Sequence, residues 1–120
     1  HMNQIGLEDM WKFAIDKYIS PLIWKIYKYA YKKINISFIV KYSMDGQKEL
    51  RPHHDSSAFT TSICLNDDFE GGGCHFIRQD KKIINKDIGS VTIHPGRLTH
   101  YHQGLPITKG TRYIMVSFNN

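Results

Sequence analysis

The spacing of the apolar residues changes once along this chain, at Ile34, and that change limits the folds available to it. Before Ile34, apolar residues recur at the three- and four-residue spacing of a helix, namely at Leu7, Trp11, Ala14, Ile15, Tyr18, Leu22, Ile26 and Ala30. After it, short β-rich runs alternate with turn residues. The pattern therefore predicts a β-sheet structure with helices at its N-terminal end.

The helical stretch contains one break signal, Ser20-Pro21. Serine can cap a helix, and proline is tolerated in the first helical turn because its missing N–H would have no partner there. The sequence therefore predicts two helices, Leu7–Ile19 and Pro21–Lys33.

The remaining residues read as short strands at regular intervals. The predicted strands are Ile36–Tyr42, Ala58–Leu65, Cys74–Ile77, Ile88–Ile93, a short segment from Leu98 to His102, and Arg112–Phe118. This spacing favours an antiparallel sandwich or jelly roll, with the helices on one outer face. We expect one domain, in which residues 1–33 support a β core formed by residues 34–120.

Charge and composition exclude some classes of partner. The formal net charge is +5, but the lysines are spread along the chain without the clustered basic patch that nucleic-acid binding needs, so no nucleic-acid partner is expected. No apolar run is long enough to cross a membrane. Two cysteines, Cys64 and Cys74, are too few for a disulfide framework and have no metal-binding spacing, although one bridge between them is left open.

A candidate metal site begins with His53-His54-Asp55. Residues two apart in an extended strand project from the same face, so His53 and Asp55 can reach one ion while His54 points away. The third ligand must come from further along the chain, where the candidates are His75, His94, His100 and His102. Two histidines and one carboxylate form the facial triad of non-heme iron(II) oxygenases. Zinc accepts the same ligands, so the pattern alone leaves both metals open.

Two further features favour a carboxylate ligand beside that metal. Arg112, at the predicted start of the last strand, is a permanent cation able to hold a distant carboxylate through two hydrogen bonds, as a dicarboxylic co-substrate such as 2-oxoglutarate requires. Thr60, Ser62 and Cys64 form one small, mostly polar strand face, which leaves room for a ligand.

At this point the chain resembles a known family, the procollagen lysyl hydroxylases. The likeness rests on three motifs in the family's order: Leu50–Ser56, Glu70–Cys74, and His94–Pro106 followed by Lys109–Tyr113. A weaker likeness extends through Ile36–Ser43 into the helices. The composition, rich in Ile, Lys, Asn and Tyr as AT-rich coding sequence would give, favours a giant-virus member of the family.

The resemblance implies a role for each candidate site residue. It places the third metal ligand at His102 rather than at His94 or His100, which become supporting residues. The family carries an asparagine contact where this chain has Ser62, so that contact is shorter or reorganised here. The implied metal ligands are His53, Asp55 and His102, which together with Arg112 are the implied catalytic residues. The implied co-substrate residues are Arg112, Tyr42 and Ser62.

The resemblance also implies a fold and an activity. The fold would be a double-stranded β-helix, and the enzyme an Fe(II)- and 2-oxoglutarate-dependent dioxygenase. It would use O₂ to hydroxylate C5 of lysine in collagen-like peptides, releasing succinate and CO₂, with ascorbate keeping the iron reduced. Members associate through their catalytic domains, so we expect a homodimer with Leu98 as an exposed contact. The expected compartment is the endoplasmic reticulum, or the host cell for a viral protein.

Three alternatives remain open from the sequence. A related enzyme of this fold could hydroxylate proline, although similar prolyl hydroxylases generally carry lysine at the position of Arg112. A non-catalytic metal-binding assembly module is the competing class, and a zinc hydrolase would lack an evident general base near the metal motif. His1-Met2 resembles the remnant of a removed expression tag, so we expect the chain to be excised from a longer protein.

One acidic cluster suggests how a lysine substrate could be recognised. Asp67, Asp68 and Glu70 are close together on a predicted turn before a glycine run. Because the protein is itself net positive, a cationic peptide would have to be attracted by local carboxylates such as these. We expect this turn to contact the substrate lysine.

Overall fold

The computed structural model describes all 120 residues, beginning with a helical segment. A short 3₁₀ turn at Met2–Ile5 precedes helix α1 (Glu8–Ala14), a π-helical turn at Ile15–Ile19 and helix α2 (Ser20–Tyr27). None of these helices has the length and apolarity that crossing a bilayer requires.

The predicted break between two helices is wrong, since the chain stays helical from α1 through α2. Pro21 has no N–H to donate and would crowd the carbonyl four residues earlier, and the wider π turn directly before α2 accommodates this. The same turn changes which residues are buried. Residues four apart lie on the same face of this helical segment, and on that face Trp11, Ile15, Ile19 and Ile23 are buried. Apolar residues grouped with them by ordinary helical spacing are exposed, namely Tyr18, Leu22 and Ile26.

Helix α2 also ends at Tyr27, earlier than the predicted Lys33. Lys28 adopts a left-handed conformation with φ of 55° and donates its backbone N–H to the Trp24 carbonyl at 2.9 Å, which closes the helix. The following residues run extended, and the Lys33 carbonyl accepts a hydrogen bond from Asn120 N at 2.9 Å. The C-terminus therefore fixes the path of the chain from the helices into the first strand.

The nine strands form two antiparallel sheets. The strands are β1 (Ile34–Ser43), β2 (Leu50–His53), β3 (Phe59–Cys64), β4 (Phe69–Gly71), β5 (Cys74–Phe76), β6 (Lys81–Ile83), β7 (Val91–Pro95), β8 (His102–Gly104) and β9 (Ile107–Asn119). The major sheet has the order β1-β9-β3-β7, with β4 paired to the start of β9, and the minor sheet has the order β2-β8-β5-β6. The expected jelly roll with N-terminal helices is confirmed.

Several predicted strand bounds need correction. The last strand begins at Ile107, so Arg112 lies inside it rather than at its start. The segment from Leu98 to His102 is mostly loop, and β8 begins only at His102. Strands β2, β4 and β6 were not predicted, because strands of three or four residues carry little alternation.

Two apolar clusters lie on opposite faces of the major sheet. The buried helical residues pack on its outer face, against Phe59 and Met115. The inner cluster joins Tyr42, Phe69, Ile107, Ile114 and Val116. The helices thus cover one face of the major sheet, as predicted, and its other face is turned toward the minor sheet.

Candidate metal centre

A cavity of about 130 Å³ lies between the two sheets. The major sheet contributes alternate residues from β1, β3, β7 and β9, and the minor sheet contributes residues from all four of its strands. Every site residue predicted from the sequence lines this one cavity: Tyr42, His53, Asp55, Ser62, His102 and Arg112.

His53, Asp55 and His102 meet at one end of the cavity. One ligand atom from each lies within 4.8 Å of the others. His53 ends β2 and is paired with His102, the first residue of β8, so the strand register alone brings the two rings together. Asp55 lies just beyond β2, in a loop rather than in the extended strand assumed for His53 and Asp55, and His54 is exposed outside the site. The arrangement has the donor set of a 2-His-1-carboxylate centre.

Hydrogen bonds to the main chain determine which nitrogen of each ring is free. His53 Nδ1 lies 2.7 Å from the Arg51 carbonyl, and His102 Nδ1 lies 2.7 Å from the His100 carbonyl. Because a carbonyl oxygen only accepts, each Nδ1 must carry the hydrogen and donate it. In the neutral rings Nε2 therefore keeps its lone pair, and both Nε2 atoms face Asp55, at 3.1 Å from Oδ1 and 3.6 Å from Oδ2.

This donor set fits a bound cation. Two nitrogen lone pairs and a carboxylate repel one another unless a positive charge lies among them. The interaction with Asp55, opposed in part by burial, raises the pKa of His53 above its usual value. Burial lowers the pKa of His102, which keeps that ring neutral and able to bind a metal. Imidazole nitrogen and carboxylate oxygen suit Fe(II), and zinc accepts the same atoms.

The carboxylate of Asp55 stays ionised although it is buried. Burial would raise the pKa of Asp55, but interactions with His53 and Thr60 and the nearby His102 and His94 rings hold it below its usual value. Thr60 Oγ1 donates a hydrogen bond to Asp55 Oδ2 at 2.7 Å. The metal end of the cavity therefore keeps one fixed negative charge.

His94 and His100 surround the candidate ligands. His94 Nδ1 donates to the Pro95 carbonyl at 2.8 Å, and its Nε2 lies 3.8 Å from Asp55 Oδ2. Burial lowers the pKa of His94 to about 4, so the ring is neutral. The rings of His94 and His100 stack with centroids 6.1 Å apart, and His100 also meets Phe76 edge-on. Both rings pack around the site, but neither belongs to the group of three ligand atoms from His53, Asp55 and His102.

The opposite part of the cavity holds a buried cation that no acidic residue neutralises. Arg112 is only 9% exposed, and its guanidinium makes neither a salt bridge nor a hydrogen bond within the protein. It lies 5.4 Å from the ring centre of Tyr42, its partner across β1 and β9, and 5.9 Å from that of Phe69. Burying a charge without a partner is costly, so this arrangement favours an anionic ligand.

Tyr42 is a second group beside Arg112 that lacks a protein partner. Its side chain is 3% exposed, and its hydroxyl forms no hydrogen bond within the protein. Burial raises the pKa of Tyr42, so the hydroxyl keeps its hydrogen and can donate it to a ligand. The two side chains together can hold one carboxylate.

The small strand face predicted on β3 lines the cavity. Thr60, Ser62 and Cys64 all contribute to its wall, and Cys74 faces them from the minor sheet. Both cysteines are free thiols, so the bridge left open by the sequence is not formed. Burial raises the pKa of Cys74 to about 12, which makes this thiol a neutral wall residue.

The glycine run at residues 71–73 brings the main chain close to Arg112. All three glycines have positive φ, of 76°, 74° and 105°, a conformation that other residues rarely adopt. A β-carbon on Gly72 would lie 3.2 Å from Arg112 Cδ, so a side chain there would press on the guanidinium. The run therefore carries the chain from β4 to β5 and leaves room for Arg112.

The acidic cluster predicted to contact the substrate lies elsewhere. Asp67, Asp68 and Glu70 do not line the cavity, and Asp68 Oδ1 accepts a hydrogen bond from Asn66 Nδ2 at 2.5 Å. Asn66 also donates to the Thr111 carbonyl and accepts from Tyr113 N, which fastens this turn to β9. A substrate role for these acids stays a prediction.

Sequence reasoning missed two residues of the site. Thr60 was assigned to the cavity wall without its bond to Asp55, and Cys74 was not assigned to the cavity. Strand alternation could have found Cys74. Cys74 and Phe76 are two residues apart in the strand that directly follows the glycine run, so their side chains lie on the same face.

Comparison with known proteins agrees with this geometry. Residues 30–120 match the family model described as the 2OG-Fe(II) oxygenase superfamily. The chain is 53% identical over 98% of its length to the Gallus gallus procollagen-lysine,2-oxoglutarate 5-dioxygenase 1. It is 48% identical, again over 98%, to the Rattus norvegicus multifunctional procollagen lysine hydroxylase and glycosyltransferase LH3. The chain spans only 17% of the length of each relative.

Solved structures show a similar fold at low sequence identity. A 2OG-Fe(II) oxygenase family oxidoreductase from Burkholderia pseudomallei superposes with a TM-score of 0.71 at 16% identity, covering 94% of this chain and 55% of that one. The viral collagen prolyl hydroxylase of Paramecium Bursaria Chlorella virus-1 gives 0.63 at 16%, covering 88% and 68%. At these identities the likeness concerns the fold alone.

Proposed function

This chain belongs to the 2OG-Fe(II) oxygenase superfamily, and from that membership we propose that it catalyses the 2-oxoglutarate-dependent hydroxylation of lysine at C5 in collagen-like peptides. The proposed ligands of Fe(II) are His53, Asp55 and His102. The proposed binding residues for 2-oxoglutarate are Arg112, Tyr42 and Ser62. Residues 34–120 would form the catalytic core of a longer protein, supported by residues 1–33.

One observation carries this proposal: a single cavity contains both a three-residue metal-ligand cluster and a buried arginine without a partner. A metal site alone would fit a zinc protein or an assembly module. Neither requires an unneutralised guanidinium beside an unpaired tyrosine hydroxyl. A dicarboxylic co-substrate requires both the metal site and the unpaired arginine. One end of the co-substrate must reach the metal, and the carboxylate at its other end must be neutralised.

The protein's part in the reaction is to bind, orient and exclude water. Arg112 would hold the distal carboxylate of 2-oxoglutarate through charge-assisted hydrogen bonds, with Tyr42 donating a further one. Ser62 would contact the co-substrate from the neighbouring strand, and the apolar inner cluster keeps water from the cavity. When bound, Fe(II) with 2-oxoglutarate and O₂ supplies the oxidising chemistry, which adds one oxygen atom to the substrate and yields succinate and CO₂.

Sequence identity favours lysine over proline as the substrate residue. The relatives named as lysine hydroxylases are about half identical over 98% of this chain. Prolyl hydroxylases among the similar solved structures are 14–18% identical, and at that level the likeness concerns the fold alone. The peptide would be collagen-like, as the names of those relatives imply for their own substrates. Ascorbate is proposed as the reductant that keeps the iron in the ferrous state.

Arg112→Ala tests the proposed co-substrate site. Removing the cation should leave metal binding unchanged and cost about 1.5–3 kcal/mol of 2-oxoglutarate binding, the value of a charge-assisted pair. The dissociation constant should rise roughly ten- to a hundredfold, measured by anaerobic calorimetry with Mn(II) in place of Fe(II). Arg51→Ala removes an exposed arginine outside the cavity and is the matched control. An unchanged constant in Arg112→Ala would rule out this role.

A homodimer is proposed from the loop between β7 and β8. Leu98 at its tip is 80% exposed and has a φ of 65°, while the Arg78 side chain donates to the Leu98 carbonyl and supports the loop. Such an exposed leucine contributes nothing to the core and is accessible to a second copy of the chain. Leu98→Asp should therefore give a folded monomer by light scattering, whereas a dimer of unchanged stability would contradict the proposal.

A further inference from the structure

Two buried hydroxyl groups stand behind the carboxylate of Asp55. Thr60 Oγ1 lies 2.7 Å from Asp55 Oδ2, and Ser57 Oγ lies 2.8 Å from Thr60 Oγ1. Ser57, Thr60 and Asp55 are 0%, 3% and 6% exposed, so water does not compete for these bonds. The three side chains form one short chain of hydrogen bonds that ends at the metal site.

The chemistry of the groups fixes the direction of this chain. An ionised carboxylate only accepts, so the single hydrogen of the Thr60 hydroxyl must be donated to Asp55. Thr60 Oγ1 is then left as an acceptor, and Ser57 must donate to it. Each hydroxyl therefore has one defined orientation, and Asp55 Oδ2 accepts a hydrogen bond from the protein. The other oxygen, Oδ1, receives no hydrogen bond from any hydroxyl or main-chain N–H.

The bond from Thr60 fastens the loop that carries Asp55 to the major sheet. Thr60 lies on β3 of the major sheet, whereas both histidine ligands lie on β2 and β8 of the minor sheet. The main chain of Asp55 is held from the same side, because its N–H donates to the Gly96 carbonyl at 3.1 Å and Gly96 N donates to the Ala58 carbonyl at 3.0 Å. Of the three proposed ligands, only Asp55 has both its side chain and its main chain hydrogen-bonded to the major sheet or to the loops beside it.

We infer that Thr60, oriented by Ser57, is a positioning residue that holds Asp55 so that Oδ1 is the oxygen presented to the metal ion. This inference rests on the proposed metal site. Without the hydroxyl, the carboxylate can turn or present both oxygens to the ion. The second oxygen would occupy a position that the co-substrate needs. The hydroxyl relay, which consists of Ser57, Thr60 and Asp55, would therefore control both metal affinity and the number of positions open to 2-oxoglutarate.

Thr60→Val removes the hydroxyl and keeps the shape of the side chain on its strand. Partners of this kind are typically worth about ten- to a hundredfold in metal affinity, so the dissociation constant for Mn(II), measured by anaerobic calorimetry, should rise by that factor. Thr60→Ser retains the hydroxyl and should stay near wild type. Ser57→Ala removes only the outer bond and should give a smaller rise. The visible absorption spectrum of bound Co(II) should change in Thr60→Val and return in Thr60→Ser.

The next residue on the same strand provides a matched control. Thr61 is 0% exposed, its hydroxyl has no partner, and it does not line the cavity. Thr61→Val should therefore leave Mn(II) affinity and the Co(II) spectrum unchanged, although it removes the same group from an equally buried position.

The outcomes separate this inference from the proposed function. If the wild-type chain binds no Mn(II), the metal site itself is refuted and the inference falls with it. If wild type and a folded Thr60→Val bind Mn(II) equally well, the inference alone is overturned. Should Thr60→Val fail to fold, Ser57→Ala decides, because a wild-type affinity and Co(II) spectrum in that variant would refute the relay.

Discussion

Asp55 lies among three imidazole rings, and its role follows from where their hydrogens are. His53, His94 and His102 each have Nδ1 within 2.8 Å of a main-chain carbonyl, which directs Nε2 toward the carboxylate. Only His53 and His102 join Asp55 in the group of ligand atoms that lie within 4.8 Å of one another. His53 and His102 are therefore the proposed histidine ligands, and the ring of His94 packs beside them.

The proposed ligands can be tested one at a time. His53→Ala, Asp55→Ala and His102→Ala should each lose bound iron and turnover, because each removes one of only three protein ligands. His54→Ala is the control, since its exposed ring packs at a tilt against Tyr101, with centroids 5.0 Å apart, outside the site. Elemental analysis after anaerobic loading measures the iron content. Full iron occupancy in His102→Ala would contradict the assignment.

The sequence predicted the first two candidate ligands on physical grounds and the third only through resemblance. His53 and Asp55 are two residues apart, and strand alternation predicted that they meet, although Asp55 lies in the loop after β2, where Thr60 and the Gly96 carbonyl hold it. His102 could not be chosen from four histidines by spacing. What selects it is the pairing of His53 with His102 across β2 and β8, a long-range register that no local pattern specifies.

At the scale of structural elements, the site depends on how the loop after β2 is fastened to the end of β7. Gly96 lies against this loop so closely that a β-carbon would overlap Ser57 Oγ and would come within 2.6 Å of the Ser57 carbonyl and 3.2 Å of Asp55 Cβ. All three atoms belong to residues of the hydroxyl relay or the ligand set. The absence of a side chain at Gly96 is therefore a requirement of the site.

Gly96→Ala should disturb both stability and metal binding. Overpacking of this kind typically costs about 1–3 kcal/mol, and the loop can relieve it only by moving Asp55. The free energy of unfolding by denaturant and the Mn(II) affinity should both fall. Gly89→Ala is the control: a β-carbon there meets no atom within 4 Å, although its φ of 84° remains unfavourable. It should lose about 1–2 kcal/mol of stability without any loss of Mn(II) affinity, and equal loss in both variants would contradict this account.

The elements that sequence reasoning misjudged are those whose form depends on distant partners. The helix was divided at Ser20-Pro21 because proline normally interrupts a helix, but a π turn preserves it and changes the buried face. Strands β4 and β6 have three residues each and exist through pairing with β9 and β5. Strands β1 and β3 were located within two residues of their observed bounds, whereas only the second half of β9 was predicted, because its first half is fixed by pairing with the short strand β4.

At the scale of the whole molecule, the site is formed by two sheets facing each other, and each supplies a different part of it. The minor sheet provides the two candidate histidine ligands, while the major sheet provides Arg112, Tyr42 and the hydroxyl of Thr60. Because neither sheet is sufficient alone, the cavity exists only in the folded jelly roll. The formal net charge of +5 gives no long-range attraction for a cationic peptide, so substrate recognition must be local.

The central claim is that this cavity hydroxylates lysine, and mass spectrometry of a reacted peptide tests it most directly. A collagen-like peptide containing both lysine and proline would be incubated with the chain, Fe(II), 2-oxoglutarate and ascorbate in air. We expect one added oxygen atom on lysine, one succinate released for each oxygen added, and no product with Asp55→Ala or without 2-oxoglutarate. Oxygen found on proline with lysine unmodified, or on lysine without 2-oxoglutarate, would contradict the account.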